Sequence, residues 1–307
     1  MKVKAYVRDD GTVGVRNHIL ILPSVVCANQ VAREVAEAVP GAVYVEHQHG
    51  CAQIGADFDQ TKRVFVNMAL HPNVFGVVVI GLGCEAVAAQ LVAAEISAHS
   101  KKPVVPLIIQ ESGGTLGAKE RGIEAAQKIA AAAIGLISTE VDVDRIAVSL
   151  QIAGSQPPTA VTETVYQSLV QQVSRYGFGT VVARDDGAAT AHIGYAERVS
   201  GAAGIAVMQA PHHEAEQLTG LVASGAQLAI VITDDLTLIG SPIAPVWTLC
   251  TDEGLWNDLS QEFDAGCTDG NAANFTKAWV SIIEGERSNA ERQGLVDFAI
   301  HRVGPTI

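Results

Sequence analysis

The chain has 307 residues, a formal net charge of −13, and 48% hydrophobic residues of which few are aromatic. That content is too apolar for a disordered chain, and an acidic balance without a Lys/Arg cluster excludes nucleic acid and anionic membrane surfaces as partners. No apolar run reaches the roughly 18–20 residues of a membrane span, and Met1–Asp10 lacks the apolar core of a signal peptide, so a cytoplasmic protein is expected.

Residues 1–17 read as an arm with turns at Asp10-Gly11 and Gly14. From there strand and helix signals alternate. The spacing predicts strands at about 18–24, 42–46, 76–81 and 103–109, and helices at about 28–39, 58–70, 85–98 and 115–135. Val31, Val35 and Val39 share one face of the first helix; Phe58, Phe65 and Met68 form a stripe on the second, with Asp57 as its expected N-cap. The strands are continuous apolar runs, such as Val77-Val78-Val79-Ile80, as expected where helices cover both faces of a parallel sheet. After a polar linker at Ser138–Asp144 the rhythm resumes, with strands at about 145–150, 179–183, 204–208 and 227–232 and helices at about 160–176 and 213–223. An extended excursion over 236–250, a helix at about 271–285 and the tail 298–307 complete the chain. The expected fold is α/β: two Rossmann-like three-layer α/β/α domains with mainly parallel sheets, residues 1–140 and 141–307.

Three of the five cysteines occupy equivalent places. Cys27 follows the run His18–Leu22. Cys51 follows Ala42–Val45, inside His47-Gln48-His49-Gly50-Cys51-Ala52-Gln53. Cys84 follows Val77–Ile80, inside Gly81-Leu82-Gly83-Cys84-Glu85. Each stands where a buried strand stops and a helix starts, and in an open α/β sheet those strand ends face one ligand-binding crevice. An odd cysteine count in a chain this long argues against a disulfide framework, so thiols at strand ends read as metal-binding or catalytic. Buried small hydrophobes are the plainer alternative. Two metal readings stay open. One is an iron–sulfur cluster on three thiolates, which leaves one iron open as a Lewis acid for a substrate hydroxyl. The other is a single ion held by Cys51 with His47 and His49, which an extended segment points to one side; Zn and Fe(II) both accept such ligands. No C-x-x-C is present, which excludes a zinc ribbon.

Gly81–Ala86 also matches G-x-G-x-x-A after a strand, with Glu111 about 25 residues on, as in a dinucleotide fingerprint. It falls on the third strand and places a thiol where pyrophosphate would lie, so these glycines read as a tight turn. Glu111 is either a general base or a cap on the helix that follows. Arg16 is a candidate carboxylate clamp, although the start of the first strand is the wrong sheet edge unless the arm curls over. His192, His212 and His213 read as polar faces of helix-like stretches, and Asp234-Asp235 as a solvated turn.

Several segments together resemble the large-subunit core of the altronate/galactarate dehydratase family, which includes the large subunit of sulfolactate sulfo-lyase. They are Gly14-Val15-Arg16-Asn17-His18, Val26-Cys27-Ala28-Asn29, His47–Cys51, His71-Pro72-Asn73, Gly81–Glu85, Gln110–Gly114 and Ala299–Thr306. The resemblance spans nearly the whole chain and is most specific over residues 9–125. It implies an iron-dependent lyase that eliminates water, or sulfite, beside a carboxylate, giving an enol that becomes a 2-oxo acid. It also implies a small β-rich partner, which members carry fused or as a separate subunit; here, where the chain begins at the arm, a separate subunit is expected. Two places depart from the family pattern. Gln151–Pro158 stands where a Cys-Gly-Gly-Ser-Asp motif is usual, and Thr233-Asp234-Asp235-Leu236 where a Thr-Gly-Arg-Gly-type turn is usual. Both departures imply a different hydroxy acid or a lost activity.

These readings combine into one expectation. Cys27, Cys51 and Cys84, with His47 beside them, hold iron as a [4Fe-4S] cluster or as mononuclear Fe2+. Glu111 or His49 takes the proton beside the substrate carboxylate, and Arg16 helps to neutralise that carboxylate. The partners are a small-molecule hydroxy acid, the small subunit and further copies of the same chain. A non-catalytic paralogue that binds a sugar acid or a partner subunit is the alternative.

Overall fold

In the computed structural model, which describes residues 1–199, 204–267 and 275–304, the arm is a strand. β1 (Lys2–Val7) exposes Lys2 and Lys4 and buries Val3 and Ala5, the period-two pattern of a strand covered on one face. Its last residues pair antiparallel with β2 (Val13–Gly14). Contacts divide the chain into two units, Tyr6–Ser138 with Phe298–Ile307, and Met1–Ala5 with Thr139–Asp297.

The first of these carries the three thiols of interest. Its parallel sheet is built from β3 (His18–Pro23), β4 (Ala42–Tyr44), β5 (Val74–Gly81) and β6 (Val104–Ile108), in the order β4-β3-β5-β6. Ile19–Leu22 and Val77–Ile80 are buried on both faces, which explains the unbroken apolar runs. Ile19, Ile21, Val78 and Ile80 join one core with α1 (Asn29–Glu37) and α4 (Gly114–Ile134), which pack on each other. The intervening residues of the strands face the other side, where α2 (Gly55–Leu70) and α3 (Ala89–His99) pack. Each fully buried Leu, Ile or Val contributes roughly 2 kcal/mol of transfer free energy to this three-layer stack.

The other unit opens with β7 (Thr139–Asp142), which pairs antiparallel with Lys2–Ala5 of β1. β8 (Ala147–Ala153), α5 (Ala160–Tyr176), β9 (Gly179–Val182), β10 (Ala191–Ile193), β11 (Ile205–Met208), α6 (Glu214–Ala223), β12 (Leu228–Thr233), β13 (Val246–Cys250), α7 (Glu253–Leu259), β14 (Ala265–Gly266), α8 (Thr276–Ile283) and α9 (Asn289–Gln293) follow. The strands form a parallel sheet in the order β10-β11-β9-β8-β12-β13-β14. The α/β architecture with mainly parallel sheets and covering helices is therefore as the alternating pattern predicts.

The differences from the sequence reading have physical causes. The polar linker 138–144 contains β7, because Val141 is buried against β1 while its polar neighbours face out. The excursion 236–250 ends in β13, whose Val246–Cys250 run is fully buried beside β12. Asp57 is not the N-cap of α2, which begins two residues earlier at Gly55; its carboxylate turns inward. His192 lies on β10 and not on a helix, exposed and 3.6 Å from Asp185. His212 and His213 precede α6. The helix expected at 271–285 is α8; residues 271–274 lie outside the described residues, as does Pro305–Ile307 of the tail. The tail itself, which the sequence reading placed with residues 141–307, groups by contacts with Tyr6–Ser138.

Candidate active site

The loops that carry Cys27, Cys51 and Cys84 meet at Gly50. The carbonyl of Gly50 accepts N–H bonds from Ala86 at 2.9 Å and Val87 at 3.2 Å, two and three residues beyond Cys84. The carbonyl of His49 accepts the N–H of Val26, beside Cys27, at 3.0 Å. Gly50 itself has φ +96°, and a Cβ there would lie 2.7 Å from Val25 Cα and press on the Ser24 carbonyl. Only glycine permits both the conformation and the approach. All three cysteines are free and exposed.

Behind this surface lies a buried polar cluster. Residues 45–49 alternate buried and exposed, which sends His47 and His49 inward. The left-handed turn at Gly50 breaks the alternation, so Cys51 points outward and does not share their side. Gln53 organises the cluster: its Oε1 accepts the Gly50 N–H at 2.7 Å, and its Nε2 donates to Asp57 Oδ2 at 2.6 Å and Thr61 Oγ1 at 2.7 Å. The amide orientation follows from these partners, since only the oxygen can serve a backbone N–H and only the nitrogen a carboxylate. His49 Nδ1 lies 3.3 Å from the same Gln53 nitrogen.

His47 is committed elsewhere. Its Nε2 donates to the Pro23 carbonyl at 2.8 Å, and its Nδ1 accepts the His49 N–H at 3.1 Å. Neither nitrogen is left for a metal in this arrangement, so the sequence assignment of His47 as a ligand does not carry over. Burial lowers its pKa to about 4, against a smaller opposing effect of the Pro23 bond. The sign follows: as pH falls below about 6.5 the unfolded chain takes up a proton that the folded imidazole refuses, so stability drops between about pH 6.5 and 4, by up to roughly 3 kcal/mol. Urea denaturation at pH 7 and 4.5 should show His47→Gln losing less stability across that interval than wild type; equal losses would refute this.

Around Cys84 the loop is shaped by Glu85, which sequence reasoning did not single out. Its carboxylate turns back to accept the N–H of Gly83 at 2.6 Å, the N–H of Ala89 at 3.4 Å and the Ser24 hydroxyl at 3.2 Å. Desolvation pushes its pKa up, but these bonds outweigh that and hold it below the usual carboxylate value. The anionic seat at the N-terminus of α3 is thus filled by the chain's own carboxylate, which favours the tight-turn reading of the Gly81-x-Gly83 motif. It also explains why α3 starts at Ala89 and not at 85.

Glu111 lies on the turn after β6, exposed, at the same sheet edge: the neighbouring Gln110 N–H bonds the Leu82 carbonyl at 3.1 Å. The N-cap of α4 is Gly113, without a side-chain cap, so the capping role proposed for Glu111 is not taken up. Arg16 lies before β3, with Nη1 on the Val15 carbonyl at 2.9 Å. At about 3.3 Å per residue, the length of β3 puts it roughly 20 Å from Cys27; the arm does not curl over. In the other unit, Asp234 accepts N–H bonds from Ser155 and Thr159 and so ties its loop to theirs, whereas Asp235 accepts from Thr237 and closes a turn. Cys250 and Cys267 are buried, and burial pushes the Cys250 thiol up.

Iron is implied by the resemblance, and the donor set can be tested against it. Three exposed thiols, on loops bonded through Gly50, are the donor type that a thiolate-held cluster would take. Among the described residues no three His, Cys, Asp or Glu side chains are gathered as a ligand set for an ion. With His47 engaged and Cys51 turned outward, Cys51, His47 and His49 do not share one side as the single-ion reading requires.

Residues 5–134 match the family model described as D-galactarate dehydratase/Altronate hydrolase, second domain, and residues 172–306 the one described as D-galactarate/Altronate dehydratase, C-terminal. Altronate dehydratase of Bacillus subtilis (strain 168) is 31% identical over 169 residues, 52% of this chain and 33% of that protein. Altronate dehydratase of Escherichia coli (strain K12) is 43% identical over 94 residues, 27% of this chain and 19% of that one. The (2R)-sulfolactate sulfo-lyase subunit beta of Chromohalobacter salexigens is 40% identical over 77 residues, 25% of this chain and 20% of that one. The matched stretches therefore span between 19% and 33% of these relatives' lengths.

Proposed function

The chain belongs to the D-galactarate dehydratase/altronate hydrolase family, and from that premise we propose that it is the iron-bearing core of a lyase that removes water from a sugar acid or another 2-hydroxy carboxylate. The observation that carries the proposal is the convergence of three exposed thiol loops on Gly50 at the C-terminal edge of a parallel sheet. Cys27, Cys51 and Cys84 would hold iron as a four-iron cluster, which supplies a Lewis acid for the departing hydroxyl.

The remaining work falls to the chain's own groups. A base takes the proton from the carbon beside the carboxylate. The C–H electron pair forms the double bond as the neighbouring C–O bond breaks, the hydroxyl leaves as water after gaining a proton, and the enol tautomerises to a 2-oxo acid. Glu111, exposed on the β6 turn of the same edge, is assigned as this base. His49, buried beside Gln53, is the other group that can accept a proton there. One relative is named as a subunit beta, which supports a multi-subunit arrangement; the partner we propose is a separate small β-rich subunit, beside further copies of this chain.

A second reading rests on the segments 151–158 and 233–236. Ile152 is buried in β8, and Asp234 is spent on the backbone of the adjoining loop. Side chains so engaged suit a paralogue that binds a sugar acid without turning it over. One experiment separates the readings. Protein prepared anaerobically is assayed for iron, sulfide and electron paramagnetic resonance, then for 2-oxo acid release from altronate, galactarate and sulfolactate, with and without the product of a neighbouring small-subunit gene. Iron with turnover supports the lyase; iron-free, inactive protein that binds an acid supports the paralogue. Among the described residues no helix is long and apolar enough to cross a membrane.

A further inference from the structure

The thiol edge lacks the cation that the sequence assigned to it, since Arg16 lies at the far end of β3. The tail supplies another. Gln60 Nε2 donates to the His301 carbonyl, and the Val303 N–H donates to Asp57 Oδ1 at 3.2 Å, which fixes the backbone on both sides of Arg302. Upstream, Ile300 is buried and the Phe298 ring lies 6.1 Å from that of His47. Arg302 Nη2 then donates to the carbonyl of Gln48, at 3.0 Å, in the segment that bears Cys51.

We propose that Arg302 is the residue that binds the substrate carboxylate at the thiol edge. A guanidinium has five N–H donors in a planar fork that matches a carboxylate. The bond to Gln48 uses one of them, and the side chain is otherwise exposed. The anchoring is indirect but continuous. Asp57 takes the tail on one oxygen and Gln53 on the other, and Gln53 holds Gly50, whose loop turns Cys51 outward. The same buried carboxylate thereby sets the positions of the guanidinium and of the thiol. Binding the carboxylate to a cation also lowers the cost of removing the adjacent proton, because the charge that develops is partly balanced. Arg33, by contrast, faces Glu46 of this segment at 3.4 Å, so its charge is already partnered.

This inference rests on the proposed sugar-acid chemistry, and its test separates the two. Binding of galactarate and altronate to the purified chain is measured calorimetrically, with galactitol as the uncharged control. Arg302→Ala should weaken binding of both acids about tenfold to a hundredfold, with the melting temperature unchanged because the side chain is exposed. Arg302→Lys should recover only part of the loss, and methylguanidinium in the buffer should recover binding by Arg302→Ala. Asp57→Ala should weaken acid binding too, and in addition change the alkylation rate of Cys51, which Arg302→Ala should leave alone. Wild-type affinity in Arg302→Ala overturns the assignment while the family chemistry stands. A wild-type chain that binds neither acid, with or without the small subunit, also overturns the assignment, while the iron and 2-oxo acid assay decides the family chemistry separately.

Discussion

Cys84→Ser should cut turnover sharply while the protein keeps its fold. Cys84 is exposed, and the bonds that shape its loop belong to the Gly83 and Ala89 N–H groups, the Glu85 carboxylate and the Gly50 carbonyl, none of which the substitution removes. A serine hydroxyl occupies almost the same space but stays protonated at neutral pH and is a hard oxygen donor, whereas iron in a cluster is held by thiolate. A metal acting on a leaving hydroxyl is worth several kcal/mol of barrier, so kcat/KM should fall by at least about a hundredfold. Iron content should fall in parallel, with the thermal melt within a degree or two of wild type. Full turnover by an iron-replete Cys84→Ser protein would exclude this cysteine from the site.

Gly50→Ala should act through structure and reach all three thiols at once. The added Cβ meets backbone at Ser24 and Val25, which cannot rotate aside as a flexible side chain could, and the φ of +96° is strained for any L residue. Strain of that kind costs about 1–3 kcal/mol and overpacking against fixed neighbours about as much again. A loss of roughly 3 kcal/mol or more is therefore expected. The local consequence is more telling than the global one. Displacing Gly50 breaks the bonds from Ala86 and Val87, so the Cys51 and Cys84 loops lose their common anchor. The measurement is the alkylation rate of each cysteine, read by mass spectrometry, beside a denaturant melt. Cys27, Cys51 and Cys84 should all change rate; unchanged rates with wild-type stability would show that Gly50 is not the hub. Conversion of Cys250 and Cys267, buried in the other unit, should not differ.

Part of the site is legible in the residues and part is not. Cys27, Cys51 and Cys84 can be placed at strand ends because apolar runs stop just before them, and that pattern is local. The partners of His47 cannot be read in this way. Whether an imidazole faces a metal or the carbonyl of Pro23, 24 residues away, depends on how two strands lie together. Gln53, just ahead of α2, and Asp57, in its first turn, carry a faint signal as polar residues at four-residue spacing that turn out to be buried. Glu85 carried a clearer one that was missed: a carboxylate just ahead of a helix is the residue type that serves free N–H groups there.

By itself the sequence determined the α/β alternation, the parallel sheets and the edge of the sheet where Cys27, Cys51 and Cys84 stand. Burial periodicity is written in near neighbours, and continuous Val/Ile/Leu runs have few other stable uses. Tertiary structure alone decided that residues 139–142 would pair with the arm as β7 and that His47 would be tied up. It also decided that Arg302, and not Arg16, would stand beside the Cys51 loop. Those outcomes depend on hydrogen bonds between residues as much as 254 positions apart. Their partners are chosen by the packed backbone and leave no periodic trace in either segment.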